Sequence, residues 1–110
     1  MNHSFPKSAR LRFSRQFSEV DRFGTKRSGK YLSISLLKKY HKKSKMGITA
    51  SRRFGSSVIR NSFKRRLREA YRLLEASDKK EVWIHVKPRA LAQEATMQEL
   101  QKELLELITS

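Results

Sequence analysis

The stretch SSVIRNSFKRRLREAYRLL, residues 56–74, decides the fold, because it combines a helical apolar period with a dense row of cations. Its apolar residues recur every three or four positions, which predicts an amphipathic helix with one buried face. A serine at position 56 or 57 is suited to cap this helix, which we expect to run to about residue 75. The residues expected to be buried are Ile59, Phe63, Leu67, Ala70, Tyr71 and Leu74.

The cations of this helix are expected to lie on one flank. At about 100° per residue, the side chains beside the apolar face are those of Arg60, Lys64, Arg68 and Arg72, with Asn61 and Arg65 among them. Guanidinium groups bind phosphate oxygens bidentately, so this row favours a folded RNA as partner. The alternative is that these cations only form a solvated helix face. Against this, Glu69 is the only acid among them, and we expect it to form an ion pair within the helix.

Upstream, residues 14–23 predict a short helix with Ser14 as its N-cap and Gly24 as its stop. After a turn, the alternating segment YLSISLL, residues 31–37, predicts a strand. The segment MGITA, residues 46–50, predicts a second strand, which we expect to be the hairpin partner of the first. The first strand should place Leu32, Ile34 and Leu36 on one side and Tyr31, Ser33 and Ser35 on the other.

Downstream, EVWIHV, residues 81–86, predicts a strand that Pro88 closes, with Val82, Ile84 and Val86 pointing inward. Thr96 and Glu99 have the spacing of a capping box at the start of a final helix. Its apolar face would consist of Met97, Leu100, Leu104, Leu107 and Ile108. The order helix, strands, helix, strand, helix predicts an α+β sandwich, and the length predicts a single domain over residues 1–110.

The composition indicates which class of molecule the protein binds. The 110 residues contain 26 Lys+Arg against 10 Asp+Glu, a net charge of +16, which favours a polyanion such as nucleic acid. Residues 1–74 hold 21 of the basic residues and three acids, whereas residues 75–110 hold five bases and seven acids. The basic surface is therefore expected in the first two thirds of the chain.

Catalytic and metal-binding patterns are absent from the sequence. There is no cysteine, and His3, His41 and His85 lack the spacing of metal ligands. No paired acid and base, activated nucleophile or phosphate-binding glycine loop is visible. We therefore expect no catalytic residue and no metal held by the protein alone. The lack of cysteines and of a long apolar run favours a cytoplasmic protein that is neither secreted nor membrane-spanning.

Three aromatic residues have two possible roles. Phe17, Phe23 and Tyr31 could stack on unpaired bases, but aromatic residues at helical or strand spacing also belong to cores. The sequence leaves both roles open.

A family resemblance extends over residues 51–72, SRRFGSSVIRNSFKRRLREAYR. This segment resembles the signature helix of the ribonuclease P protein family, and the resemblance continues more loosely over nearly the whole chain. The matching positions are Arg52, Arg53, Gly55, Val58, Arg60, Asn61, Lys64, Arg65, Arg68 and Glu69. Ser62 replaces a usual arginine, whose contact would be lost or moved to a neighbour such as Arg66, and Asp21 stands where an aromatic residue is frequent.

The resemblance implies a fold and a division of labour. The fold would contain a left-handed βαβ crossover and be close to domain 2 of ribosomal protein S5. A catalytic RNA would supply the active site and bind magnesium, while the protein docks on that RNA and holds the 5′ leader of precursor tRNA, without an obligate protein partner. The implied RNA-binding residues are Arg52, Arg53, Arg60, Asn61, Lys64, Arg65 and Arg68, and those of the leader cleft are Phe17 and Tyr31.

Three other kinds of protein share some of these features. A ribosomal protein or general RNA chaperone would have the same charge and size. A DNA-binding module would need a recognition helix after a short helix and turn, whereas a strand pair is predicted before the basic helix. A nuclease acting alone would need a carboxylate cluster that the sequence lacks.

Overall fold

Three α-helices and four β-strands form the structure, a computed structural model that describes residues 6–110. His3 lies outside the described residues. In chain order the elements are α1 (Ser14–Phe23), β1 (Thr25–Ser28), β2 (Leu32–Lys38), β3 (Lys45–Ile48), α2 (Ser57–Arg72), β4 (Val82–Pro88) and α3 (Met97–Thr109). Short 3₁₀ helices occupy Lys7–Ala9, Ala76–Lys79 and Ala90–Glu94. The predicted α+β class is confirmed.

The four strands form one sheet in the order β1-β2-β4-β3. Strand β2 is antiparallel to both β1 and β4, whereas β3 is parallel to β4. The predicted hairpin between β2 and β3 is therefore wrong, because β4 lies between them. Parallel strands need a crossover connection, and α2 supplies it between β3 and β4. The turn predicted between α1 and β2 is wrong for Thr25–Ser28, which form β1; the sequence TKRS has no apolar alternation that would indicate a strand.

The main core lies between the sheet and helices α2 and α3. Alternate residues of β2 and β4 point into it, among them Leu32, Ile34, Ile84 and Val86, as the strand patterns predict. The predicted buried face of α2 is confirmed, although Ile59 is only partly buried. Leu100, Leu104, Leu107 and Ile108 of α3 complete this core.

Helix ends follow the predicted signals in three places and depart from them in one. The Ser56 hydroxyl caps α2, the Thr96–Glu99 capping box opens α3, and Gly24 follows the last residue of α1. Ser14, however, does not cap α1. The N-cap residue is Phe13, which makes no side-chain cap hydrogen bond, and the Gln16 side chain in the first turn reaches back, where its Oε1 accepts the backbone N–H groups of Arg12 at 2.6 Å and Phe13 at 3.0 Å.

The opposite face of the sheet carries a smaller cluster under α1. Leu11, Val20 and Trp83 are buried there, and Phe17 and Leu37 pack against them partly exposed. This face also receives the β4 residues that alternate with the main core, so β4 is buried on both sides. A strand in the middle of a covered sheet explains why EVWIHV is apolar almost throughout.

Polar contacts fasten α3 to the turn between β1 and β2. The Glu103 carboxylate accepts the backbone N–H groups of Lys30, Tyr31 and Leu32 at 2.8, 2.8 and 2.6 Å. Arg27 donates to the carbonyl of Leu107 at 2.6 Å, where a cation at the carboxyl end of a helix is favourable. The α3 helix is thus positioned by charge as well as by apolar packing.

We expect Glu103→Ala to destabilise the fold by about 2 kcal/mol or more, because three backbone donors lose a charged acceptor. Chemical denaturation would measure the change in the free energy of unfolding. Lys102→Ala, at the exposed neighbouring position on α3, should change it by less than about 0.5 kcal/mol. Equal effects of the two substitutions would contradict this role of Glu103.

Candidate functional site

The seven polar residues predicted to bind RNA lie on α2 and the loop directly before it. Arg52 and Arg53 are exposed in that loop, and Asn61 and Arg65 are exposed on the helix. Arg60, Lys64 and Arg68 are half-buried, as expected for positions that flank the apolar face. The structure therefore places these seven residues within residues 52–68, and we call the seven together the basic segment. Their contact with RNA remains a prediction.

Two members of the basic segment, Arg60 and Arg68, interact with other groups of the protein. Arg60 Nε donates to the carbonyl of Gly55 at 3.2 Å, which ties the helix to its preceding loop. Burial and the nearby charge of Arg10 lower the pKa of Arg68 from its ordinary value. An anion bound beside Arg68 would offset this repulsion between like charges.

Other cations of α2 are already engaged within the protein. Arg72 Nε donates to Glu69 Oε1 at 2.8 Å, so the predicted intrahelical ion pair is confirmed. The Arg66 guanidinium donates to the carbonyls of Ala95 and Gln93, beyond the end of the 3₁₀ helix and within it. Arg66 therefore fastens α2 to the segment before α3. Because its guanidinium group is engaged there, it is not placed to take over the contact of the family arginine that Ser62 replaces.

A second group of functional candidates lies under α1, on the other face of the sheet. We call Phe17, Asp21, Thr49 and His85 the α1 cluster. The Phe17 ring lies against Gly47, where an added Cβ would come within 2.4 Å of ring atom Cε1. The same ring meets the His85 imidazole edge to face, with centroids 4.8 Å apart.

His85 connects α1 to the sheet. It is buried, with His85 Nδ1 2.7 Å from Asp21 Oδ1 and His85 Nε2 2.8 Å from Thr49 Oγ1. Partial burial raises the pKa of Asp21, but the contact with His85 and the positive charges of Lys87 and Lys26 outweigh this effect. The pKa of Asp21 consequently lies below its ordinary value, so this residue is a carboxylate at neutral pH.

Tyr31 does not join Phe17. It packs against the main core on the α3 side of the sheet, and its hydroxyl donates to Glu99 at 2.9 Å. The prediction that Tyr31 shares a side with Ser33 and Ser35 is wrong, because the residue precedes β2 and is held by the α3 contacts. The structure therefore separates the two aromatic residues that were predicted for one cleft.

Phe23 lies at the end of α1 and is 66% exposed, with the Arg22 guanidinium carbon 5.4 Å from its ring centroid. It is a surface residue, and the core role left open for it is excluded.

Sequence reasoning missed the link between Asp21, His85 and Thr49. These residues are separated by up to 64 positions, and only the tertiary structure brings them together. The one available signal was the alternation of β4, which puts His85 opposite the Val82, Ile84 and Val86 side.

The described residues contain no group of three or more histidine, aspartate and glutamate side chains suited to hold a metal ion. Within residues 6–110, no helix is long and apolar enough to cross a membrane. His41 is exposed in the connection between β2 and β3, where its backbone N–H donates to Glu81 at 2.7 Å.

These features define a small, strongly basic α+β protein with a cationic helix on one side of its sheet and a polar aromatic cluster on the other. The family model for ribonuclease P matches residues 5–110. The chain belongs to the ribonuclease P protein family.

Individual relatives agree with this assignment. The ribonuclease P protein component of Clostridioides difficile is 30% identical over 105 residues, which cover 94% of this chain and 92% of that protein. The component of Desulforapulum autotrophicum is 36% identical over 72 residues, and the match spans less than two thirds of its length, 62%. The solved ribonuclease P protein of Thermotoga maritima superposes with a TM-score of 0.79 at 28% identity, covering 90% of this chain and 94% of that one.

Proposed function

We propose that this protein is the protein subunit of ribonuclease P, which binds a catalytic RNA and the 5′ leader of precursor tRNA and assists removal of that leader. The observation that carries the proposal is the basic segment, which combines the family's motif with a row of cations that the protein itself leaves largely unneutralised. Glu69 is the single acid within α2, and it is paired with Arg72.

The basic segment suits the catalytic RNA. Five of its seven side chains are presented by α2, whose opposite face is buried in the core, so the backbone positions of these five are fixed. The planar guanidinium group of arginine also loses less side-chain entropy for each hydrogen bond to a phosphate than the flexible ammonium group of lysine does. The exposed Arg52, Arg53 and Arg65 are placed to contact the RNA first, while Arg60 and Arg68 lie deeper against the helix.

The α1 cluster suits the leader. Phe17 is half-buried, so part of its ring is available to an unpaired base, and base stacking tolerates any sequence. Lys26 and Lys87 lie near enough to Asp21 to lower its pKa. Phosphates at this face would therefore meet cations as well as a carboxylate. Because Tyr31 lies on the other side of the sheet, the proposed leader site is centred on Phe17.

The remaining parts of the proposal follow from the family. The RNA subunit would supply the active site and bind the magnesium ions, and the protein would act in the cytoplasm as a single domain without an obligate protein partner. The crossover from β3 through α2 to β4 would be left-handed, as in domain 2 of ribosomal protein S5.

Reconstitution tests the assignment. At low magnesium concentration, the protein together with a bacterial ribonuclease P RNA should cleave precursor tRNA faster than the RNA alone, and the protein alone should not cleave. A general RNA chaperone, by contrast, would bind precursor and mature tRNA equally well. Cleavage by rigorously RNA-free protein, or no stimulation at any magnesium concentration, would refute the proposal.

Arg65→Ala should weaken binding to the RNA subunit and leave the fold intact, because its side chain is exposed and makes no hydrogen bond within the described residues. If the contact is a phosphate, the slope of log affinity against log salt should fall by roughly 0.7–0.9. Lys102→Ala removes the same charge from exposed α3 and should leave the slope unchanged. A slope equally altered by both substitutions would indicate a non-specific charge effect.

Phe17→Ala should weaken holoenzyme binding of leader-bearing tRNA by about 1–3 kcal/mol, since one base stack is lost, and should leave mature tRNA unaffected. Leu37→Ala is the matched control, because Leu37 packs against the same small cluster but has no aromatic face. Denaturation of both variants would separate lost stability from lost binding. Equal losses for leader-bearing and mature tRNA would return Phe17 to a purely structural role.

A further inference from the structure

The connection between β2 and β3, residues 39–44, is held in a strained backbone conformation. Within residues 6–110, the only residues other than glycine with a positive φ are His41 at 63° and Glu81 at 54°. This left-handed conformation is unfavourable for a residue with a side chain, and it persists where the surroundings fix it, often at functional sites. The two residues meet, because the His41 backbone N–H donates to the Glu81 carboxylate at 2.7 Å.

Further contacts fix the shape of this connection. The Lys39 backbone N–H donates to the Glu81 carbonyl at 2.7 Å, and the Lys39 ammonium group pairs with Glu19 of α1. Trp83 Nε1 of β4 donates to the Lys43 carbonyl at 3.1 Å. The connection is therefore tied to α1, to β4 and to the residue before β4, so the backbone at its tip has a defined position.

The tip of the connection displays Tyr40. Its side chain is 70% exposed, more than that of any other aromatic residue among residues 6–110, and Lys38 Nζ lies 5.5 Å from the ring centroid. Lys42 is exposed, and its side chain makes no hydrogen bond or ion pair within the described part of the chain. Residues 38–45 contain five lysines and no acid. An exposed ring among cations is suited to an unpaired nucleotide, whose base stacks while its phosphate meets the charges.

Cations link this connection to the basic segment. Lys43 donates to the Ser8 hydroxyl at 3.3 Å, and Lys45 donates to the Ser8 carbonyl at 2.9 Å. Two residues after Ser8, Arg10 lies near enough to Arg68 for its charge to add to the effect of burial on the pKa of Arg68. A band of positive charge thus leads from α2 across the segment before α1 to the β2–β3 connection. We call the following residues the cationic row: Arg10, Lys42, Lys43 and Lys45.

We propose that the cationic row extends the RNA interface beyond the basic segment, and that an unpaired base of the catalytic RNA stacks on Tyr40 at the end of this row. The occupant is the catalytic RNA, because the row continues from the residues proposed to dock on it. Stacking tolerates any base, so no particular nucleotide is required. Glu81 is a positioning residue here, because it holds the connection that displays Tyr40. This inference rests on the proposed function and adds a second contact with the same partner.

The first test measures the affinity of the protein for a bacterial ribonuclease P RNA in the absence of tRNA. Tyr40→Ala should weaken binding about fivefold or more, because one base stack is lost. Tyr40→Trp keeps an aromatic face and should bind like the wild-type protein. Phe23→Ala is the matched control, since Phe23 is also exposed beside a cation, Arg22, but lies at the end of α1. Equal affinities of the wild-type protein and Tyr40→Ala would overturn the proposal.

The second test separates the positioning role of Glu81 from its charge. Glu81→Ala removes a negative charge, which by itself should strengthen the binding of RNA, but it also removes the acceptor of the His41 N–H. We expect Glu81→Ala to bind more weakly than the wild-type protein. Glu81→Gln removes the same charge and keeps an acceptor, so it should bind at least as tightly as the wild-type protein. Denaturation of both variants checks that each is folded in the binding assay. Tighter binding by both variants would refute the positioning role.

Salt dependence tests the phosphate contacts of the cationic row. Lys42→Ala should reduce the magnitude of the slope of log affinity against log salt by roughly 0.7–0.9, because one phosphate contact is lost. Lys102→Ala removes the same charge from α3 and should leave the slope unchanged. An unchanged slope for Lys42→Ala would exclude Lys42 from the interface.

The extension of the interface and the proposed function fail in different ways. If Arg65→Ala weakens RNA binding and Tyr40→Ala does not, the extension is refuted and the basic segment stands. If Tyr40→Ala weakens only the binding of leader-bearing tRNA to the assembled holoenzyme, the occupant is the substrate, and the proposal is refuted as well. If the wild-type protein does not bind the catalytic RNA, the proposed function itself fails.

Discussion

The packing of the α2 apolar stripe against the sheet is the interaction on which the rest of the structure depends. Phe63 and Leu67 are fully buried there, and α2 makes the crossover that lets β3 lie parallel to β4. Once that stripe is buried, the polar flank of the same helix must face outward, because the positions are related by a fixed rotation of about 100° per residue. The cationic surface is therefore a consequence of core packing.

Strand β4 is buried on both faces of the sheet, and the two faces differ in chemistry. The side under α2 and α3 is apolar and closed. The side under α1 holds a smaller apolar cluster together with His85, Asp21 and Thr49, and a buried imidazole is stable there because each ring nitrogen has a partner. The short α1 cannot cover the sheet completely, which leaves Phe17 and Thr49 accessible.

The large positive charge serves two purposes. Some cations hold elements together: Arg27 and Lys79 donate to carbonyls at the carboxyl ends of α3 and α2, and Arg66 links α2 to the segment before α3. Because these side chains already donate hydrogen bonds to backbone carbonyls, they are poorly suited to bind a polyanion. The cations of the basic segment are spared this role for the most part, so net charge alone overstates the binding surface.

The sequence by itself determined every α-helix and every strand except β1, and it determined the cationic flank. Helical and strand periods located α1, α2, α3, β2, β3 and β4, since local burial patterns follow the geometry of the backbone. It did not determine the pairing of β3, the polar strand β1, or the position of Tyr31. Pairing depends on contacts between distant segments, which leave no local period. For the same reason only the tertiary structure could join Asp21, His85 and Thr49, which lie in α1, in β4 and directly after β3.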